Sequence, residues 1–371
     1  MEITVAKHAG FCFGVKRATD RLERAIAEKR QGERIYTLGT LIHNDIYNQM
    51  LAEQGVRVIA IEQVEAMAKE ASENAPVTVF VRAHGIPRED EALLRRLVEQ
   101  YPSFRYEDCT CPFVKKIHNV AAEHGGEDRF LVLCGSASHP ECIGILSYFD
   151  GETMAFAKAE ELERAIADGK FDFLRNKTPI LVAQTTQNLL EWKKSQKLLQ
   201  NLYTNALIFD TICSVTEERQ TEAAALSSAS DLMIVIGGRE SSNTAKLFDI
   251  CRENCPQCIW IERPDELADH NLITSAHTRV GIAAGASTPS GVIWEVWKTM
   301  SEMKENFEQM LEESFKTLNT GDIVTGTVTS VSDTELQLDI GSNVTGYIKV
   351  EQISNDPSIK LTEMYKIGEN W

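Results

Sequence analysis

Three cysteines, Cys12, Cys111 and Cys213, each stand where a short apolar run breaks off, in EITVAKHAGFC, FRYEDCTC and ALIFDTIC. Thiolates bind zinc and iron–sulfur clusters. Three of them from distant parts of a chain can hold zinc with a histidine as fourth ligand, or a [4Fe–4S] cluster with one iron open to a substrate. Spacing alone leaves both open. The hydroxyl and imidazole groups nearby favour an open, reactive site. An iron lacking a protein ligand joins Lewis acidity to electron donation, a combination suited to removing a hydroxyl group by reduction.

The three cysteines recur in phase with other polar groups. Cys12 and Cys111 are 99 residues apart, and Cys111 and Cys213 are 102 apart. A second landmark, His43, His139 or Asn243, follows its cysteine by 31, 28 or 30 residues, and a third, His84, Thr185 or Ser287, by 72, 74 or 74. The local sequence echoes too, with CFGVKRA after the first site and CPFVKKI after the second. A lone buried cysteine or histidine is usually structural. Recurrence in phase points instead to three related α/β lobes, each delivering one cysteine and two polar groups.

Within that pattern, His43, His84 and His139 at corresponding strand ends suit anion binding. Ser241, Ser242 and Asn243, just after GGRE, offer short donors to phosphate oxygens or a helix cap, and Ser287 in GIAAGASTP is equally ambiguous. Glu141 follows His139 across Pro140 and is the best-placed proton donor, with Thr185 and Thr186 able to position it or relay a proton. Cys109 competes with Cys111 but breaks the phase. Cys251, Cys255 and Cys258 form C-x3-C-x2-C, a spacing used by radical enzymes that cleave S-adenosylmethionine. Here it falls on a helix end followed by a buried strand, and the structural reading is preferred.

The elements that must carry these groups are apolar strands alternating with helix-like segments such as VKRATDRLERAIAEKR and EALLRRLVEQ. That alternation predicts parallel sheets, with ligands beyond the carboxyl ends of the strands. Each cysteine precedes a predicted helix, and Pro112 suits a first turn. Helix N-termini stabilise thiolates and anions alike.

The chain carries 38 basic and 55 acidic residues, a net charge of −17, so no general affinity for nucleic acid follows from charge. MEITVAKHAGFCFG lacks the features of a signal peptide, and no stretch approaches the roughly 20 apolar residues that cross a bilayer. A cytoplasmic location with no membrane contact is the expectation, and with it nine reduced cysteines.

The pattern changes after residue 290. GVIWEVWKTMSEMKENFEQMLEESFKTL reads as an amphipathic helix, a linker over 291–318. Residues 319–371 alternate as β-structure and resemble the start of an S1 domain, the OB-fold RNA-binding module. Tyr347 and Lys349 are its candidate RNA contacts. The expected barrel is partial, leaving apolar edges exposed, so RNA or ribosome contact depends on a complete module.

AGFCFGVKRA, TLIHN, RAHGI, CTCPFVKKIH, SASHPECIG, AQTTQN, DTICSVTEERQ, GGRESSNT and AGASTP together resemble 4-hydroxy-3-methylbut-2-enyl diphosphate reductase, the LytB family, over residues 1–290. The resemblance implies an α/β fold of three quasi-equivalent lobes around a central [4Fe–4S] cluster, one per chain. It implies Cys12, Cys111 and Cys213 as ligands, and His43, His84, His139, Ser241, Asn243 and Ser287 around a prenyl diphosphate, with Ser242 nearby. Glu141 with Thr185 or Thr186 would supply the proton, and a ferredoxin or flavodoxin the electrons. The products implied are isopentenyl and dimethylallyl diphosphate, the last step of the methylerythritol phosphate route. No G-x-G-x-x-G fingerprint for a nicotinamide cofactor is seen.

Overall fold

Apolar runs of four to six residues, cut off by Gly, Ser, Thr and His, are too short for helices and fold as parallel strands joined by helices. A computed structural model describes residues 2–172, 176–270, 279–301, 323–340, 345–353 and 360–371. The chain opens with β1 (Glu2–Val5) and α1 (Phe13–Ala27). It continues through β2 (Arg34–Leu38), α2 (Asp45–Glu53), β3 (Arg57–Ile59), α3 (Ile61–Glu70), β4 (Val77–Val81), α4 (Arg88–Gln100) and β5 (Phe104–Asp108). The next stretch holds α5 (Pro112–Glu123), β6 (Arg129–Cys134), α6 (Pro140–Ser147), β7 (Glu152–Phe156), α7 (Ala159–Ala167), β8 (Thr178–Ala183), α8 (Leu189–Leu202) and β9 (Leu207–Ile208). Then follow α9 (Ser214–Ser228), β10 (Leu232–Ile236), α10 (Ser242–Asn254), β11 (Cys258–Ile261), β12 (Arg279–Ala284) and α11 (Ser290–Ser301).

Twelve strands form three four-stranded parallel sheets, ordered β3-β2-β4-β5, β7-β6-β8-β9 and β11-β10-β12-β1. The order is the same three times, with β1 standing in the third sheet where β5 and β9 stand in theirs. Central strands β6, β8 and β10 are buried almost throughout, because helices cover both faces of a parallel sheet. Edge strands alternate or lie open, as in β3, where Arg57 and Val58 are exposed and only Ile59 is buried.

The repeat that begins at each cysteine is therefore one strand out of step with the sheets. The strand leading to Cys111 completes the sheet of β2 and β4, and that leading to Cys213 completes the sheet of β6 and β8. The strand leading to Cys12 pairs with β12, Val5 opposite Ile282. The expectation that each lobe delivers its own cysteine is corrected to this extent: each sheet ends in the cysteine of the next repeat. Periodicity cannot reveal this, since pairing partners leave no trace in a strand's own pattern.

The chain divides into two compact units, Arg17–Gln220 with the first two sheets, and Met1–Lys16 with Thr221–Trp371. The latter unit includes the tail, where β13 (Thr327–Val331), β14 (Glu335–Asp339) and β15 (Thr345–Lys349) form an antiparallel sheet. Val328, Leu336, Leu338 and Leu361 are its core. An open edge was expected here; instead Gly326 and Trp371 exchange backbone hydrogen bonds of 2.7 and 2.8 Å, and Val328 bonds Glu369 and Gly368. The last residues thus cover the free side of β13. The greater part of the expected linker helix, 302–318, and residues 319–322 lie outside the described residues. Among the described residues no helix is long and apolar enough to cross a membrane.

Candidate functional site

The three cysteines occupy equivalent places. Each immediately precedes a helix, Cys12 before α1, Cys111 as the N-cap of α5 with Pro112 in the first turn, and Cys213 before α9. Each donates its backbone N–H to a carbonyl two residues past the end of the neighbouring strand: Cys12 to Ala286 at 3.1 Å, Cys111 to Ala83 at 2.9 Å, Cys213 to Thr185 at 3.0 Å. These acceptors are, or directly precede, the third landmarks Ser287, His84 and Thr185. The three thiols form no disulfide and are half-buried. A thiol at a helix N-terminus is readily held as thiolate by the orphan N–H groups and the helix dipole. Three such thiols in one repeated setting fit the ligand set of a cluster.

Cys109 differs. It is fully buried, and burial pushes its thiol up to about 12, so it stays protonated. The loop between it and Cys111 is held by Arg17, which donates to the Thr110 carbonyl at 3.0 Å. Nothing in the sequence flagged Arg17 beyond its place in the motif CFGVKRA.

In the unit Arg17–Gln220, His43, His84 and His139 come together, with ring centroids 4.5, 5.4 and 5.7 Å apart. Their ligand nitrogens all lie within 4.8 Å of one another. His139 caps α6, its Nδ1 accepting the Glu141 N–H at 3.1 Å. With Nδ1 an acceptor, the neutral ring carries its proton on Nε2. His84 is held neutral, well below the usual imidazole range, by burial first and then by the charges of His43, His139 and Arg82. Its Nδ1 is buried without a hydrogen-bond partner. A buried imidazole such as His84 that resists protonation beside two others becomes a good anion ligand once an anion offsets their repulsion. Arg82, two residues before His84, adds a fixed cation that the sequence reading passed over.

Glu141 is 2% exposed, unusual for a carboxylate. It accepts the Thr185 N–H at 2.6 Å on one oxygen and the Thr185 hydroxyl at 2.9 Å on the other. Thr185 thus holds it through both oxygens; Thr186 lies alongside, half-buried.

Behind the histidines sits His118 on α5, stacked on Tyr148 with centroids 4.2 Å apart. Gly85 follows His84 with φ +77°, and a Cβ there would meet the His118 ring at 2.9 Å. Only glycine satisfies both the left-handed backbone and the contact. Burial lowers His118 to about 4. A histidine with depressed folded pKa binds fewer protons folded than unfolded, so it contributes nothing above about pH 6.5 and lowers stability progressively from there to pH 4. The expected cost by pH 4 is about 3 kcal/mol. Urea titrations across this range should show a slope that flattens in His118→Gln.

The other unit carries its own polar set. Ser241 caps α10, accepting the Thr244 N–H at 3.3 Å, so the helix-cap reading holds for it. Asn243 is 5% exposed, and its Nδ2 is buried without a partner. Ser242 accepts from the Lys246 ammonium at 3.0 Å, placing a cation one turn into the helix. Ser287, 6% exposed, follows the Ala286 carbonyl that binds Cys12. Cys251, Cys255 and Cys258 lie at the other end of α10 and on β11, as a helix end followed by a strand.

Fold and site together define an α/β protein whose reactive groups stand at the carboxyl ends of parallel strands and at helix N-termini. Residues 3–301 match the LytB protein family, and residues 317–370 match the S1 RNA binding domain. The chain belongs to the LytB family. It is 33% identical over 377 residues to the 4-hydroxy-3-methylbut-2-enyl diphosphate reductase of Clostridium acetobutylicum, covering 99% of this chain but 55% of that one. It is 39% identical over 306 residues to the enzyme of the same name from Caldanaerobacter subterraneus subsp. tengcongensis, covering 82% of this chain and 98% of that one. Among solved structures, it resembles (E)-4-hydroxy-3-methyl-but-2-enyl diphosphate reductase, the terminal enzyme of the non-mevalonate pathway, with TM-score 0.55 and 32% identity over 82% of this chain and 100% of that chain.

Proposed function

We propose that the chain reductively dehydroxylates 4-hydroxy-3-methylbut-2-enyl diphosphate to isopentenyl and dimethylallyl diphosphate, using a [4Fe–4S] cluster on Cys12, Cys111 and Cys213. The observation that carries this reading is the threefold setting of those cysteines, each at a helix N-terminus and bonded to the loop of a polar landmark. The cluster, when bound, supplies electrons and a Lewis-acidic iron for loss of the hydroxyl group.

The protein's own groups bind the anion and move the proton. His43, His84 and His139 take the diphosphate, with Ser241, Asn243 and Ser287 and with Ser242 nearby. Because His84 is neutral without ligand, diphosphate binding takes up protons and weakens as pH rises. Glu141 in its acid form donates through the Thr185 hydroxyl, which can turn from the carboxyl towards the substrate. His139 links the two tasks, since its Nδ1 fixes the first turn of the helix that carries Glu141. The electrons come from a ferredoxin or flavodoxin.

The test is anaerobic turnover with reduced viologen and the substrate. Substrate-dependent viologen oxidation supports the assignment. A preparation with its full iron complement that oxidises no viologen overturns it.

The tail supports a second role, contact with RNA. It matches an S1 domain and presents Tyr347, 60% exposed, with Lys349 exposed on the same strand. Deleting residues 319–371 is expected to leave turnover unchanged and to remove a salt-dependent RNA affinity, measured by filter binding at two salt concentrations.

A further inference from the structure

Arg82 lies where two of the histidine-bearing loops begin, at the carboxyl ends of adjacent strands. In the register of β2 and β4, Leu38 stands opposite Val81. The next residues are Gly39, on the way to His43, and Arg82, on the way to His84.

Arg82 holds to both loops. Its Nε donates to the Gly85 carbonyl at 3.4 Å, and its own carbonyl accepts the Gly85 N–H at 3.0 Å. The turn from Arg82 to Gly85 is thus fastened twice, with His84 inside it. On the other side the guanidinium lies against Gly39. A Cβ there would stand 2.8 Å from Nη1 and 3.4 Å from Cζ, and its φ of +69° is one that side chains rarely adopt. Glycine at this position gives the guanidinium its seat. From Gly39 the chain runs on through Leu41 and Ile42, both sealed in the core, so His43 is carried on a packed segment.

The charge on Arg82 is unmatched. The side chain is half-buried and has no ion pair among the described residues. Asp90, in the first turn of α4, is the one carboxylate whose charge acts on it. A guanidinium does not shed its proton, and a partly buried cation without a partner is costly until an anion arrives. The same charge acts on His84, after burial and the charges of His43 and His139.

We propose that Arg82 is a positioning residue of the diphosphate subsite: its guanidinium ties the loop of His43 to that of His84 and supplies a fixed positive charge beside them. The inference rests on the function proposed above and adds a permanent cation to the histidine side of the subsite. The diphosphate does not react, so the charge favours it in the ground state and the transition state alike. Loss of that charge therefore raises KM and leaves kcat nearly unchanged.

The test compares the full chain, purified anaerobically with its cluster, with Arg82→Met and Arg82→Lys. Inorganic pyrophosphate, which lacks the reacting carbons, probes the subsite by isothermal titration calorimetry; viologen oxidation gives KM and kcat. Arg82→Met is expected to weaken pyrophosphate binding and raise KM by about ten- to a hundredfold, the scale of a charge a few ångströms from a phosphate at intermediate dielectric. Arg82→Lys keeps the charge but loses the fork that reaches both loops, and falls between. Iron content and circular dichroism report folding. If the Met chain does not fold, Arg82→Lys decides alone: intermediate affinity supports the proposal and parental affinity overturns it. Parental pyrophosphate affinity in a folded Arg82→Met chain overturns it, as does a fall in kcat with KM and pyrophosphate affinity unchanged. A parent chain that binds pyrophosphate but oxidises no viologen fails the reductase assignment, while the affinities still score Arg82.

Discussion

Glu141→Gln is expected to keep the fold, the cluster and substrate affinity, and to lower kcat by about 10²–10⁴-fold, the usual contribution of a positioned proton donor. The prediction rests on how little the substitution disturbs. The glutamine oxygen can accept the Thr185 N–H as the carboxylate does. Its amide can donate to the Thr185 hydroxyl, which rotates from donor to acceptor. Both of these hydrogen bonds survive in a site 2% exposed. What is lost is a dissociable proton. Steady-state viologen oxidation separates the outcomes: a low kcat with unchanged KM supports the role, and parental kcat removes it.

A second large effect separates two neighbouring cysteines. Cys111→Ser is expected to abolish turnover and iron–sulfur absorbance, whereas Cys109→Ala is expected to retain both. The two differ by setting. Cys111 caps α5 with a half-buried thiol, while Cys109 is sealed in the core with its thiol raised to about 12. The Cys109 change removes one buried sulfur, a loss of about 1–2 kcal/mol by comparison with other small core truncations. Iron content and visible spectra of the two variants, purified anaerobically, test this directly. A colourless Cys109→Ala chain beside a brown Cys111→Ser chain would reverse the assignment.

How far the sequence could be read follows from the reach of each signal. The strand ends were legible because β2, β4, β6, β8, β10 and β12 are central, apolar and abruptly terminated. Pro112 likewise marked the start of α5. By contrast, β3 is three residues long with two of them exposed, and β7 begins with two exposed residues, so neither carries a usable pattern. The offset between repeat and sheet was illegible for a different reason: it depends on which strand β1, β5 and β9 pair with.

Among the candidate site residues, the phase of the repeat located His43, His84 and His139, and the structure brings their rings together. It did not indicate that His139 would cap α6, although His-Pro before an acidic residue resembles a helix start. Nor did it separate Thr185 from Thr186, since adjacent threonines differ only in the direction each side chain takes. The tail was misjudged at its end, where Gly368–Trp371 is too short and polar to read as a strand yet bonds β13 along its free side.

The pairing of β1 with β12 orders events on the ribosome. β1 emerges before every other strand described, while its partner Arg279–Ala284 emerges after ten more. The first two sheets close on local contacts and can form during synthesis; the third must wait for a contact spanning nearly the whole region that matches the LytB family. Until then the Cys12 N–H has no Ala286 carbonyl to meet. A nascent chain stalled before residue 279 therefore carries two of its cysteines in finished settings and the third in none. On the proposed ligand set of Cys12, Cys111 and Cys213, such a chain lacks one of the three cysteine settings, and cluster loading is expected only after β12 has been made.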